Sequence, residues 1–175
     1  MASDAKIWRE SGFVDGDPWV IESDEVKAGE GQKVLLPLDS LIARAEESND
    51  VGLGVVLYPA DDVTKLEPYL SRLDVVAVSF PAFNDGRAFS QSSLLRDRLG
   101  YGGEVRAVGD VLIDQVPLML RTGIDTFAVT NATAIRRLSE GRLPGISEHY
   151  QPAVKAAEAG QGYSWRRRAL NAEQA

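Results

Sequence analysis

Between residues 51 and 138 the chain alternates short, continuously apolar runs with longer stretches whose apolar residues recur every three or four positions. A short continuous run predicts a strand buried on both faces, and three-to-four spacing predicts an amphipathic helix. Leu53 to Tyr58, Val75 to Phe80, Glu104 to Val108 and Thr126 to Thr130 are the four predicted strands. The first intervening helix would bury Leu66, Tyr69, Leu70 and Leu73. Its start is marked by a Thr64/Glu67 capping box, with Val63 and Pro68 at the staple positions. Ala88, Ser92, Leu95 and Leu99 share one face of a second helix. Val116, Met119 and Leu120 belong to a third, capped by Asp114 and ended by Gly123. Ala134, Ile135 and Leu138 mark a fourth.

Strands running in one direction need crossovers, which helices supply, so this rhythm predicts an α/β fold with a parallel sheet of consecutive βα units. Two layouts satisfy the spacing: a partial TIM-barrel-like sheet, which is preferred, and an open three-layer sheet.

The flanks differ in pattern. Residues 1–32 form a β-rich extension with short strands at Lys6 to Glu10, Phe13-Val14 and Trp19 to Glu22, interrupted by the turn signal Asp15-Gly16-Asp17-Pro18. These strands are expected to cover an edge of the sheet, with Trp8 and Trp19 packing onto the main body. Lys33 to Leu36 reads as a strand leading through Pro37 into a helix with Leu38, Leu41, Ile42 and Ala45 on one face. Beyond Leu143-Pro144-Gly145, helical character resumes from Ser147 to Ala159, and residues 160–175 form a tail laid on the surface. The whole, 1–175, is expected to be one domain.

Charge and composition narrow the chemistry. A net charge of −7 repels a phosphate backbone and makes nucleic acid an unexpected partner. The chain has no cysteine and one histidine, His149, which removes thiolate catalysis, iron–sulfur ligation and any His-pair metal site. Neither a metal nor an organic cofactor is expected; Gly52-x-Gly54 opens no helix, so it is no dinucleotide fingerprint. No apolar run approaches a membrane span, and Met1 to Asp4 leads into no apolar segment, so a cytoplasmic location is expected.

In parallel α/β sheets ligands sit at the carboxyl ends of the strands. There the sequence delivers Asp61 and Asp62, then Asn84-Asp85-Gly86-Arg87, then Gly109, Asp110, Asp114 and Gln115, then Thr130 and Asn131. Asp110 and Asp85 are the candidate catalytic carboxylates. Asn84, Gly86, Arg87, Ser90, Arg106, Gly109 and Gln115 are the candidate ligand-binding residues. A guanidinium beside a helix start suits an oxyanion, although Asn-Asp-Gly is equally turn chemistry. Arg106 lies inside an otherwise apolar strand and needs a counter-charge, for which Asp110 and Asp85 are the expected sources.

The stretch from Phe83 to Gln115 carries a family resemblance. Phe83, Asp85, Gly86, Arg87, Phe89 and Ser90, then Leu95, Arg96, Arg98, Gly100 and Tyr101, then Arg106, Ala107, Gly109, Asp114 and Gln115 form its pattern, continued by Gly123, Asp125 and Phe127. It resembles a bacterial family of unknown function described as oxidoreductases of sulfite reduction and encoded beside the sulfite reductase hemoprotein. The resemblance implies an accessory part in assimilatory sulfite reduction, by binding the reductase or a sulfur oxyanion. Without cysteine the chain cannot hold the reductase's iron–sulfur cluster, so it is not the siroheme enzyme itself. The alternative is a small-molecule enzyme using Asp110 as base and the arginines to hold an anionic substrate. The residues leave oligomeric state open.

Overall fold

The structure, a computed structural model, describes residues 5–21 and 28–144. Eight strands form one sheet: β1 (Lys6–Arg9), β2 (Gly12–Val14), β3 (Trp19–Ile21), β4 (Lys33–Pro37), β5 (Leu53–Leu57), β6 (Leu73–Phe80), β7 (Glu104–Gly109) and β8 (Thr126–Val129). Their spatial order is β2-β1-β8-β7-β6-β5-β4-β3. From β3 to β8 every pair is parallel, whereas β1 runs antiparallel to both β8 and β2.

That order decides between the two predicted layouts. A doubly wound sheet reverses its strand order at a switch point. Here successive strands simply follow one another, and right-handed crossovers then place every helix on the same face. The core agrees. Val55, Val76, Val105 and Phe127 pack with helix residues Leu41, Leu66, Leu95, Met119 and Leu138 in one cluster. The alternate strand residues Leu35, Val56, Val75, Ala77 and Val108 form a second cluster with Trp19, Ile21 and Ala128, to which no helix contributes.

The sheet is strongly curled, for a reason of chain length. Laid flat, β2 and β3 would stand seven strand spacings apart, about 34 Å. Only residues 15–18 join them, and five Cα steps from Val14 to Trp19 reach at most about 19 Å. The same segment must also pass from the carboxyl end of β2 to the amino end of β3. The sheet therefore bends into a half-barrel, with residues 15–18 as a strap across its concave side. Trp19 lies against Gly54 so closely that a Cβ there would overlap the indole, which accounts for a glycine in this buried strand.

The helices are α1 (Leu38–Glu47), α2 (Arg87–Ser93), α3 (Val116–Arg121) and α4 (Ala132–Ser139). Two expected caps are replaced. Residues Val63–Arg72 wind as a 3₁₀ helix capped by Asp62, whose Oδ1 accepts from the Thr64 amide at 3.0 Å and its hydroxyl at 2.7 Å. Pro68 within it has no N–H for an α-helical bond to the Thr64 carbonyl. At α3 the cap position is Gln115, not Asp114, and no side chain caps it. After α2 the chain widens into a π turn, Leu94–Arg98, with the Leu99 amide bonding five residues back to the Leu94 carbonyl.

The predicted helix 147–159, His149 and the tail 160–175 lie outside the described residues, as does Glu22. Among the described residues no helix is long and apolar enough to cross a membrane.

Candidate functional site

The carboxyl ends of β5, β6, β7 and β8 form a rim, and the loops leaving it are tied together by backbone-directed side chains. Gln91, on the inner face of α2, donates through Nε2 to the carbonyls of Tyr58 at 2.9 Å and Asp61 at 3.1 Å. Gln115 donates to the Phe83 carbonyl at 3.1 Å, joining the loop after β7 to the loop after β6. The Asp110 amide donates to the Phe80 carbonyl at 2.7 Å. That contact is possible because Gly109 takes φ of +92°, where a Cβ would stand 2.5 Å from the same oxygen. Phe80 in turn meets Phe89 edge-on, with ring centroids 5.0 Å apart.

Asn84, Asp85, Gly86, Arg87 and Ser90 come together at one point of this rim. Asp85 Oδ1 accepts from the Arg87 amide at 3.2 Å and from its Nε at 3.0 Å, while Oδ2 accepts from Nη2 at 2.7 Å. The Arg87 guanidinium holds the Asp85 carboxyl below its usual pKa, and the same contact raises that of Arg87. Asp85 is thus an orienting partner of Arg87, and it offsets the positive charge that an anion would seek. Arg87 itself is largely exposed, as are Asn84, Ser90, Asp110 and Asp114. Phe83, at 61% exposure, and Tyr58, at 44%, stand out as large apolar side chains on the same rim.

Arg106 is not part of this group. It points to the concave face near the amino half of β7 and is 2% exposed. Its counter-charge is neither Asp110 nor Asp85. Nη1 and Nη2 each donate to a carboxylate oxygen of Asp17, in the strap, at 2.7 Å, and Nε donates to Glu104 at 2.8 Å. Glu104 also meets Arg9 of β1 at 2.6 Å. Burial would depress the Arg106 pKa, but the Asp17 and Glu104 contacts outweigh it and the net direction is upward. Position along the strand explains the error: Arg106 faces the concave side with Ala77 and Thr126 as strand neighbours, four residues before Asp110 and away from the loops that carry Asp85 and Asp110.

Arg96 is also committed internally. It bonds the carbonyls of Tyr101 at 2.6 Å, Gly103 at 2.7 Å and Gly123 at 2.9 Å, and the carboxylate of Asp125 at 2.6 Å. Of the motif arginines, Arg96 and Arg106 are thus committed internally, Arg87 and Arg98 are exposed, and Arg87 is the one that stands at the end of the loop after β6.

A profile of the family described as "Bacterial protein of unknown function (DUF934)" matches residues 54–160, well over half of the chain. The chain belongs to this family. No curated protein and no solved structure matches it. The span shared with DUF934 begins at Gly54, so all of β5 but its first residue, β6 to β8, the rim and both internal arginines fall inside it. The strap with Asp17 precedes it.

Reading the sequence missed Asp17 as the partner of Arg106, the backbone carbonyls that Gln91 serves and the exposure of Phe83. Asp17 is hidden in a run that is also good turn chemistry, and nothing local ties it to Arg106, 89 positions on. Gln91 shares a helix face with Ala88 and Leu95, and a polar residue on an apolar face needs a buried partner. Phe83 carries no local signal of its exposure.

Proposed function

We propose that this protein is a cytoplasmic accessory factor of assimilatory sulfite reduction that docks onto the sulfite reductase hemoprotein through its carboxyl rim. The observation that carries this reading is Phe83, exposed on a loop anchored by Gln115 and flanked by Arg87. Aromatic and arginine side chains are the usual energetic centres of protein interfaces. The sequence resemblance of Phe83 to Gln115 to proteins encoded beside the reductase supports the choice of partner.

Charge favours a protein partner over a sulfur oxyanion. Among the described residues, the segments leaving the rim carry Asp61, Asp62, Asp85, Asp110 and Asp114 against Arg87 and Lys65. A small anion meets repulsion there, whereas a basic protein surface meets attraction that speeds encounter and fixes orientation.

The test is gel filtration of the protein with purified sulfite reductase hemoprotein, alongside thermal melts with sulfite. Co-elution that is lost in Phe83→Ala and Arg87→Glu, with no shift in melting temperature from sulfite, is the expected result. Stabilisation by sulfite that Arg87→Ala abolishes would instead make the rim a small-anion site and end the docking reading. Turnover of an anionic metabolite that disappears in Asp110→Asn would replace it with the enzymatic one.

A further inference from the structure

The loops leaving the rim hold acceptors that have no donor. Asp85 is paired with Arg87, and Asp61 and Asp62 accept from amides of their own turns. Asp110 and Asp114, both in the loop after β7, are exposed and meet no donor among the described residues. Two side-chain amides add to this excess. Gln91 is 6% exposed and donates through Nε2 to the Tyr58 and Asp61 carbonyls, which fixes how its amide is turned. Its Oε1 is left buried and unpaired among the described residues. Gln115 donates through Nε2 to the Phe83 carbonyl, and its Oε1 is likewise buried and unpaired. Buried carbonyl oxygens rarely go without a donor.

The group that complements such a surface carries donors, positive charge and an apolar stem. A guanidinium has five N–H donors and no acceptor, stacks on aromatic rings and bridges carboxylates. Phe83 stands exposed on the loop that Gln115 anchors, opposite the loop of Asp110 and Asp114. We infer that these two loops receive an arginine side chain from a basic polypeptide segment, with its stem on Phe83 and its guanidinium shared by Asp110 and Asp114. The Gln91 and Gln115 oxygens deepen the negative potential that draws it in. The loops are formed in advance: the Asp110 amide is held at 2.7 Å from the Phe80 carbonyl, and Gln115 ties the two loops together. Little ordering is therefore left to be done on binding. The inference rests on the docking reading for the partner's being a protein, and adds the chemistry of the contact.

Its test uses the full chain and an octapeptide of alternating glycine and arginine, acetylated and amidated at its ends. The peptide is titrated by calorimetry in parallel with one carrying citrulline for arginine, which keeps the shape and removes the charge. Saturable binding of the arginine peptide is expected, at least about tenfold tighter than that of the citrulline peptide. Asp110→Asn combined with Asp114→Asn should weaken it about tenfold at an unchanged melting temperature, and so should Phe83→Ala. Glu46→Gln combined with Glu47→Gln makes the same change in net charge in the last turn of α1, which runs back from the carboxyl end of β4 to the opposite end of the sheet. That pair should leave binding unchanged. No saturable binding, equal binding of the citrulline peptide, or an equal loss in the Glu46 and Glu47 pair would overturn the inference. Spermine binding as tightly as the arginine peptide would overturn the assignment to a polypeptide. Native protein that binds sulfite reductase hemoprotein but not the arginine peptide would overturn this contact and leave the docking reading standing. Peptide binding without co-elution of the reductase would uphold the site and end the choice of that partner.

Discussion

Replacing Asp17 with asparagine removes one charge and almost no volume, and so isolates what holds the strap across the half-barrel. Asp17 accepts two hydrogen bonds of 2.7 Å from a guanidinium that is 2% exposed. Removing one partner of a buried ion pair costs about 3–5 kcal/mol when the other is left uncompensated. Arg106 keeps Glu104, and the Asp17 side chain is itself 16% exposed, so the loss should sit at or below the bottom of that range, about 2–3 kcal/mol. For a domain of this size each kcal/mol moves the melting temperature by about 2–4 °C, which predicts a fall of roughly 4–12 °C. The assay is urea denaturation of Asp17→Asn, Arg106→Met and the double variant. Once Arg106 is methionine, the Asp17 carboxylate is left at the edge of solvent with nothing to hold, and its replacement should be nearly neutral. A coupling energy of about 2 kcal/mol is therefore expected. Additive effects, or an unchanged midpoint for Asp17→Asn, would refute the assignment of Arg106 as the anchor of the strap.

Other substitutions test the rim and its supports. Gly109→Ala should cost about 2 kcal/mol or more in denaturant unfolding, because alanine must adopt φ near +92° and approach the Phe80 carbonyl; a loss within experimental error would show that the loop after β7 can relax. The Asp62 carboxyl is held below its usual pKa by bonds from the Thr64 hydroxyl and then the Thr64 amide. Its stabilisation is present above the unfolded carboxylate value near about 4 and is lost as the pH falls below it. Melting curves from neutral pH to pH 3 should therefore fall less steeply for Asp62→Asn, since asparagine caps well without titrating. Tyr101 is buried and its pKa is raised by desolvation, so its contribution holds below about pH 10 and fades as the pH climbs past it. Tyr101→Phe gives up the 3.3 Å bond to the Leu73 carbonyl, about 1 kcal/mol at neutral pH, but should lose less stability than the native protein under alkaline conditions.

Periodicity made the scaffold legible. The runs at Leu53, Val75, Glu104 and Thr126 are strands in the structure, and the monotonic βα rhythm sets them side by side in chain order. Caps were less legible because Asp62 and Thr64 are both good cap residues, and only the course of the backbone around Pro68 chooses between them. The placement of the rim residues was legible: Asn84 to Arg87, Ser90, Gly109 and Gln115 follow the carboxyl ends of β6 and β7. What the sequence could not convey is facing. Arg106 lies in the amino half of β7, four residues before Asp110, so it serves as a buried anchor instead of the rim's cation, and its partner lies 89 positions away in a segment joining the two edge strands. Such a contact has no local signature. The family pattern around Arg96, Gly100 and Tyr101 likewise reads as chemistry until Arg96 is seen bonding three carbonyls.

The central claim is that the outward-facing part of this pattern, Phe83 with Arg87, docks a protein partner while Arg96 and Arg106 only hold the fold. Its most direct measurement is calorimetric titration of purified sulfite reductase hemoprotein with the native protein, Phe83→Ala and Asp17→Asn. The account predicts binding that weakens about thirtyfold or more in Phe83→Ala at an unchanged melting temperature. In Asp17→Asn it predicts native affinity at a lowered melting temperature. No heat of binding with the native protein, or equal affinity for native and Phe83→Ala, would contradict it.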